Sequence, residues 1–133
     1  MLTERHDLEN LMQIRIALEG LAAADAALHG SEEEIDKLEA FLPQMRQALR
    51  DRKRFSALDL EFHVTLARLS GNPLLADLVY MIRSHLARGL ERVLLPPDAL
   101  PLTLKEHTRI VMKIRQHDPE GARQAVSSHL HCC

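Results

Sequence analysis

The sequence predicts an all-α protein, an antiparallel helical bundle of about six helices that forms one domain over residues 1–133. Apolar residues recur at spacings of three and four through most of the chain, and no segment alternates polar and apolar residues with period two. Glycine and proline fall between these segments, at Gly30, Gly71 and Pro119 among other positions. At this length, with 46% hydrophobic and 27% charged residues, one globular domain with a buried core is expected.

Two helices are predicted in the first third of the chain. Residues 3–29 carry apolar side chains on more than one face, and Gly30 ends this segment. Ser31 and Glu34 form a capping-box pattern that begins the second helix, in which Pro43 predicts a kink or a break. We interpret the basic residues between 46 and 54 as the solvated end of this helix, where they face the negative end of the helix dipole.

Four further helices are predicted after residue 54. The third covers about residues 55–69, and a fourth begins after Gly71 with Asn72 as its cap and continues to about residue 95. This fourth helix is apolar around most of its circumference, which is typical of a central or interface helix. Residues 96–101 predict a stiff proline-rich connector, and helices five and six follow on either side of Asp118 and Pro119.

Composition excludes several functional classes. The formal net charge of −2 and the 3% aromatic content argue against binding of phosphates or single-stranded nucleic acid by this segment itself. No apolar run is long enough to span a bilayer, and no signal peptide is recognisable, so we expect a cytoplasmic protein with no membrane partner. Cys132 and Cys133 are interpreted as a reduced tail, with soft metal ligands as the alternative.

A candidate metal site begins with Asp59 and His63. Their separation of four residues places both on one face of a helix, where a carboxylate and an imidazole can bind one ion from the same side. His107 and His129, in later helical segments, complete a set of three imidazoles and one carboxylate that suits zinc, nickel, iron or manganese. The alternative is a surface hydrogen bond, because eight histidines in 133 residues give some helical spacings by chance.

The same residues carry a family resemblance. The Asp59-to-His63 spacing, the Ser-Gly-Asn-Pro-Leu turn at 70–74, Glu106-His107 and His129 together resemble the effector-binding C-terminal domain (FCD) of FadR-subfamily GntR transcriptional regulators. The likeness extends from Arg15 to residue 130. It implies an all-α effector-binding and dimerisation domain that is not an enzyme. It also implies that Asp59 and the three histidines hold a divalent transition metal, with zinc as the first choice.

The resemblance further implies partners. An arginine on the first helix of such domains pairs with an effector carboxylate, and Arg15 matches that position; an intrahelical ion pair with Glu19 is the alternative. We expect a small carboxylate effector, a homodimer, and DNA binding only through an N-terminal winged helix-turn-helix domain that is absent from this chain. Glu106 is expected to face solvent, although it could instead accept a hydrogen bond from a ligand imidazole.

Two other functions compete with this interpretation. A metal-free helical dimerisation or interaction domain would satisfy its polar residues internally. A metal-dependent enzyme on a helical bundle would need an activated water and a general base, for which only Glu106 or Glu61 is available. Phosphate-binding glycine loops and di-iron motifs do not occur in the sequence.

Overall fold

The computed structural model describes residues 4–89 and 99–132, and in these ranges the regular structure is helical throughout. The helices are α1 (Glu4–His29), α2 (Glu32–Glu39), α3 (Phe41–Gln47), α4 (Arg52–Leu69), α5 (Pro73–Gly89), α6 (Leu100–Arg115) and α7 (Pro119–Cys132). The predicted all-α fold is confirmed. The last part of the predicted fourth helix, most of the proline-rich connector and the side chains of both cysteines lie outside the described residues.

Local sequence signals account for the first helix boundaries. The N–H of Gly30 bonds the carbonyl of Ala26 at 2.8 Å, and a Cβ at Gly30 would lie 2.7 Å from that same oxygen, so only glycine fits the end of α1. The predicted capping box is confirmed, with Ser31 and Glu34 exchanging side-chain hydrogen bonds with each other's backbone N–H.

Pro43 explains why residues 4–89 and 99–132 form seven helices where about six were predicted for the chain. The proline ring clashes with the carbonyl four residues earlier, which belongs to Glu39, and α2 ends at that residue. Pro43 then lies in the first turn of α3, where its missing N–H costs nothing. The predicted break is therefore confirmed.

The interpretation of the basic run as a helix end holds for Arg46, in the last turn of α3, and is wrong for residues 52–54. Residues 52–54 do not end the second helix but form the first turn of α4, where they meet the positive end of the helix dipole. Asp51 offsets this arrangement as N-cap, because its side chain accepts a hydrogen bond from the N–H of Arg54 at 3.1 Å. At the next boundary Gly71 adopts a φ of +79°, and Asn72 caps α5 through the N–H of Leu75, as predicted.

Helix α1 lies at the centre of the bundle and packs against α4, α5, α6 and α7. Its inner surface is built from alanines, which let neighbouring helices approach closely, and the larger side chains come from the partner helices. Because α4 and α6 also pack in this core, side chains on their inner faces meet between the helices. Among the described residues, none of the helices is both long and apolar enough to cross a membrane.

Candidate metal centre

The four predicted ligands converge at one point inside the bundle. Asp59 and His63 come from α4, His107 from α6 and His129 from α7. Each offers one donor atom, and these donor atoms all lie within 4.8 Å of one another. All four residues are at most 8% exposed. Three helices thus bring together residues that lie up to 70 positions apart in the chain.

Apolar neighbours fix the orientation of this cluster. Leu58, Phe62 and Leu66 share the buried side of α4 with Asp59 and His63. The Phe62 ring stacks on the His107 imidazole, with ring centres 4.4 Å apart and an interplanar angle of 18°. Since rigid aromatic packing leaves few rotamers open, His107 is held with its ring edge toward α4.

The separations between the donor atoms fit a shared ion. Oδ1 of Asp59 lies 3.1 Å from Nε2 of His107 and 3.5 Å from Nε2 of His63, and the two Nε2 atoms are 3.2 Å apart. Ligands bound at about 2.0–2.2 Å around one ion stand at roughly such separations from each other. Yet Asp59 Oδ1 has no hydrogen-bond partner among the described residues. A buried carboxylate oxygen without a partner is costly, and a cation would satisfy it.

The opposite nitrogen of each imidazole contacts a different group. His63 Nδ1 lies 2.8 Å from Oε1 of Glu19, an ion-pair contact outside hydrogen-bond geometry. His129 Nδ1 lies 3.1 Å from Oε1 of Glu106, and His107 Nδ1 lies 3.3 Å from Sδ of Met45. From these partners we assign the proton of each ring to Nδ1, which leaves Nε2 as the metal-binding atom.

A buried ion network connects the cluster to α1 and α5. Arg83 donates through Nε to Oε1 of Glu19 at 2.9 Å and through Nη1 to Oδ2 of Asp59 at 3.1 Å. Arg15 donates to Oε2 of Glu19 at 3.0 Å. Two cations and two anions therefore alternate along one chain of contacts, and one oxygen of Asp59 remains directed at the histidines.

The network keeps both acids ionised. Burial would raise the pKa of Asp59, but His63, His107 and Arg83 outweigh it and hold the pKa well below its usual range. Burial also opposes ionisation of Glu19, and Arg83, His63 and Arg15 together lower its pKa far below normal. Asp59 is consequently available as an anionic ligand at neutral pH.

For two of the histidines, burial outweighs the neighbouring charges and favours the neutral form of the ring. Desolvation lowers the pKa of His107 despite its contact with Asp59. Desolvation, together with the neighbouring histidines, lowers the pKa of His129 to about 2. Both rings are therefore neutral at pH 7, which is the form that binds a metal.

Several residues of this site were missed or misjudged from the sequence. Arg15 forms the intrahelical pair with Glu19, and its predicted contact with an effector stays a prediction. Glu106 was expected to face solvent, but it contacts His129 on the next helix and its side chain is 17% exposed. Arg83 and Met45 also contact the site, through Asp59 and His107, and no local sequence pattern connects either residue to those ligands.

Comparison with known proteins identifies the family to which this chain belongs. The family profile described as FCD domain matches residues 10–131, so this chain belongs to the FCD domain family. The resemblance inferred from the Asp59 and histidine pattern is confirmed.

The particular relatives are transcriptional repressors. The HTH-type transcriptional repressor NanR of Cronobacter sakazakii is 31% identical over 123 residues, and that of Escherichia coli K12 is 32% identical over 122 residues. Each alignment covers 89% of this chain and 46% of the relative, so the chain spans about half the length of the curated relatives it matches. The family is one of regulators, and the prediction that this chain is not an enzyme is confirmed.

Solved structures agree on the fold. Escherichia coli McbR/YncC superposes with a TM-score of 0.87 at 19% identity, covering 99% of this chain and 67% of that one. Streptococcus agalactiae GntR superposes with a TM-score of 0.79 at 24% identity, covering 99% of this chain and 60% of that one.

Proposed function

We propose that this chain is the ligand-sensing domain of a GntR/FadR-type transcription regulator, which holds one divalent transition metal ion and binds a small organic acid at that ion. The observation that carries the proposal is the convergence of Asp59, His63, His107 and His129, with Asp59 Oδ1 unpartnered among the described residues. The relatives named as repressors supply the regulatory context.

The four donor atoms suit a divalent metal ion of intermediate softness. Three neutral imidazoles and one carboxylate favour zinc, with nickel, iron or manganese as alternatives. When bound, the ion would act as a Lewis acid that accepts an oxygen of the effector at a position not taken by protein. Glu19 and Glu106 would orient two of the ligand imidazoles from behind.

Charge balance supports an anionic effector. The buried network contains two positive groups, Arg15 and Arg83, and two negative groups, Glu19 and Asp59, so its formal charges sum to zero. A divalent ion would add positive charge to this poorly solvated interior, and an anion at the ion would offset it. Arg15 remains the proposed helper, since its side chain is 13% exposed at the outer end of the network.

A homodimer is supported by the outer surface of α1. Ile14, Leu21 and Leu28 are 49%, 41% and 58% exposed and follow one another at intervals of seven residues. Side chains seven residues apart lie on nearly the same side of a helix, so these three form an exposed apolar stripe that a second copy could cover. Effector binding would bias this dimer between two arrangements and so reposition the DNA-binding domains.

DNA binding would belong to a winged helix-turn-helix domain outside these 133 residues. The roughly twofold greater length of the NanR relatives leaves room for such a domain. We therefore place the protein in the cytoplasm, as a homodimeric regulator that meets DNA through that domain.

The competing function is a metal-free dimerisation domain. It is favoured by the contact of Arg83 with Asp59 Oδ2, because this contact satisfies half of the carboxylate without an ion. On that alternative, replacing Asp59 or His63 by apolar residues of similar size would be tolerated or stabilising.

Thermal unfolding distinguishes the two functions. We expect zinc to raise the melting temperature of metal-stripped protein, and small carboxylates to raise it further only when zinc is present. His117, which lies outside the cluster, gives a matched control: the His117→Ala variant should respond to zinc like wild type, and His107→Ala should not. Equal melting curves for wild type with and without zinc would favour the metal-free function.

A further inference from the structure

The charge of this chain is unevenly distributed, and the net value of −2 conceals two opposite regions. Residues 32–39 carry five acids and one lysine, whereas residues 46–54 carry five cations and one acid. The acids belong to α2, and Arg115 holds three of them. The cations surround the turn from α3 to α4, and we call residues 46–54 the cationic corner. The net charge argues against phosphate binding by the domain as a whole, but it does not describe this corner.

Four cations of the cationic corner are exposed and have no side-chain hydrogen bond or ion pair among the described residues. They are Arg46, Arg50, Lys53 and Arg54. Arg52, between them, is already engaged. The acid of the corner is engaged as well, because Asp51 caps α4 through the N–H of Arg54. The N–H of Asp51 bonds the carbonyl of Ala48 at 3.0 Å, so the chain turns sharply here and keeps the four cations in one short segment.

Positive charge at this place is unfavourable for the fold. Lys53 and Arg54 lie in the first turn of α4, where the positive end of the helix dipole repels cations. Asp51 offsets only part of this repulsion, since one carboxylate stands among five cations. Natural proteins break such local rules mainly at functional sites. The arrangement therefore indicates an anionic partner outside the described residues.

The cationic corner lies at the end of the bundle where α1 begins. A Cβ at Gly30, which follows the end of α1, would lie 3.4 Å from Cδ2 of Leu69, the last residue of α4. Further back along both helices, Glu19 contacts His63. The two helices thus run in the same direction, and their first turns lie at the same end of the bundle. An N-terminal winged helix-turn-helix domain would be attached at this end, and so would bring its DNA to the side of the cationic corner.

We propose that the cationic corner binds the phosphate backbone of the DNA that the attached domain holds, through its four unpaired cations. This inference rests on the proposed function, because it needs a DNA-binding domain before α1. Neighbouring lysine and arginine side chains neutralise the rows of phosphates along a duplex without reading its sequence. The winged helix-turn-helix domain would still recognise the bases. Because both regions would belong to one chain, even a weak contact at the corner strengthens binding once that domain is in place.

Salt dependence of DNA binding by the 133-residue chain tests the proposal. The probe is a short fluorescent duplex of arbitrary sequence, and its anisotropy is followed as protein is added. Four phosphate contacts predict a slope of about −3.6 for the logarithm of affinity against the logarithm of salt, which is roughly a hundredfold loss of affinity between about 50 and 200 mM salt.

Charge removal shows where the contact lies. The corner variant replaces the four cations by glutamine, so its affinity at low salt should fall at least about tenfold and its slope should approach zero. The matched control replaces four other exposed cations that have no ion pair among the described residues. Both variants have the same net charge, and the control should keep the slope of wild type and most of its affinity. The corner variant is Arg46→Gln/Arg50→Gln/Lys53→Gln/Arg54→Gln, and the control is Lys37→Gln/Arg68→Gln/Lys105→Gln/Arg109→Gln.

The melting temperature separates a lost contact from a lost fold. Because cations in the first turn of α4 oppose the helix dipole, the corner variant should melt at the temperature of wild type or above it. A lower melting temperature would mean that these cations stabilise the fold itself, and this would overturn the inference.

Two further results would overturn it and leave the metal site standing. One is absence of DNA binding by wild type at low salt, or equal DNA affinities of the two variants. The other is salt-sensitive self-association of wild type without DNA binding, lost in the corner variant, which would assign the corner to the acidic α2 of a second copy. Failure of the proposed function is detected separately, as absence of zinc from wild type after incubation with the metal.

Discussion

Two arginine-centred ion clusters in this molecule have similar chemistry and opposite surroundings. Arg83 bridges Glu19 and Asp59 in the interior, with side chains 3–11% exposed. Arg115 contacts three acids of α2, and their side chains are 51–68% exposed. These acids are Glu32, Asp36 and Glu39. Both clusters join helices that are distant in sequence.

The difference between the clusters shows that the number of ion pairs says little about their contribution to the stability of the fold. The outer cluster has more acids and contacts of similar length, and the paired acids raise the pKa of Arg115, but water and salt screen it on every side. The inner cluster balances its charges to zero because an unpaired charge there would be intolerable. We expect removal of a single inner partner to outweigh disruption of the whole outer cluster.

The largest effect is expected for Arg83→Met. The variant leaves Glu19 and Asp59 buried with fewer cations, and breaking a buried network of this kind costs about 3–5 kcal/mol. Urea denaturation of metal-stripped protein measures the loss. A variant as stable as wild type would show that water already reaches these acids and that the cluster is not a buried network.

Glu19→Gln should have the next largest effect, on the metal. The change removes the negative charge behind His63 and replaces one of the two oxygens that accept from Arg15 and Arg83 by an amide nitrogen, while shape is kept. Loss of a carboxylate behind a ligand imidazole lowers metal affinity roughly 10–100-fold. Competition with a chelator measures that affinity. Glu120→Gln, at the exposed start of α7, is the control, and equal zinc affinity of the two variants would refute the role of Glu19.

Met45→Leu should change metal affinity less than Glu19→Gln does. A thioether accepts a hydrogen bond only weakly, and Phe62 already holds the His107 ring by stacking. The same chelator competition should give at most a few-fold loss, with nearly unchanged stability because leucine and methionine have similar volumes. A loss as large as that for Glu19→Gln would mean that ring orientation, not the charge behind the ring, dominates.

Arg115→Met should have the smallest effect of all. Its contacts lie in solvent, so the melting temperature should differ little from wild type, and any difference should shrink as salt is raised. Scans at low and high ionic strength check this. A large loss of stability that persists in high salt would remove the contrast between the two clusters.

The sequence predicts much of the fold because the boundary signals are local. Ser31, Pro43 and Asn72 each act within four residues, so their effects could be inferred without a structure. The wrong assignment of residues 52–54 has a similar origin. A basic run is compatible with either end of a helix, and the structure assigns these residues to the start of α4 because the chain leaves the helix between the end of α3 and residue 52.

In the candidate site, too, residues with a local sequence signal could be predicted and residues without one could not. The spacing of Asp59 and His63 predicts a shared face, whereas no local pattern places His107 and His129 beside them; these two enter the set as histidines of later helical segments, and the family resemblance supports their inclusion. Arg83 and Glu19 are 64 residues apart, and no local pattern connects them. Adjacent residues point about 100° apart, which made Glu106 an improbable partner for His107; the same rotation brings it to His129 on α7.

Metal content tests the central claim most directly. The measurement is elemental mass spectrometry of purified wild type and of the Asp59→Ala/His107→Ala double variant, both incubated with zinc and then desalted. We predict about one equivalent of a divalent transition metal in wild type and none in the variant. Equal metal content in the two proteins, or none in either, would contradict the account and leave a metal-free dimerisation domain.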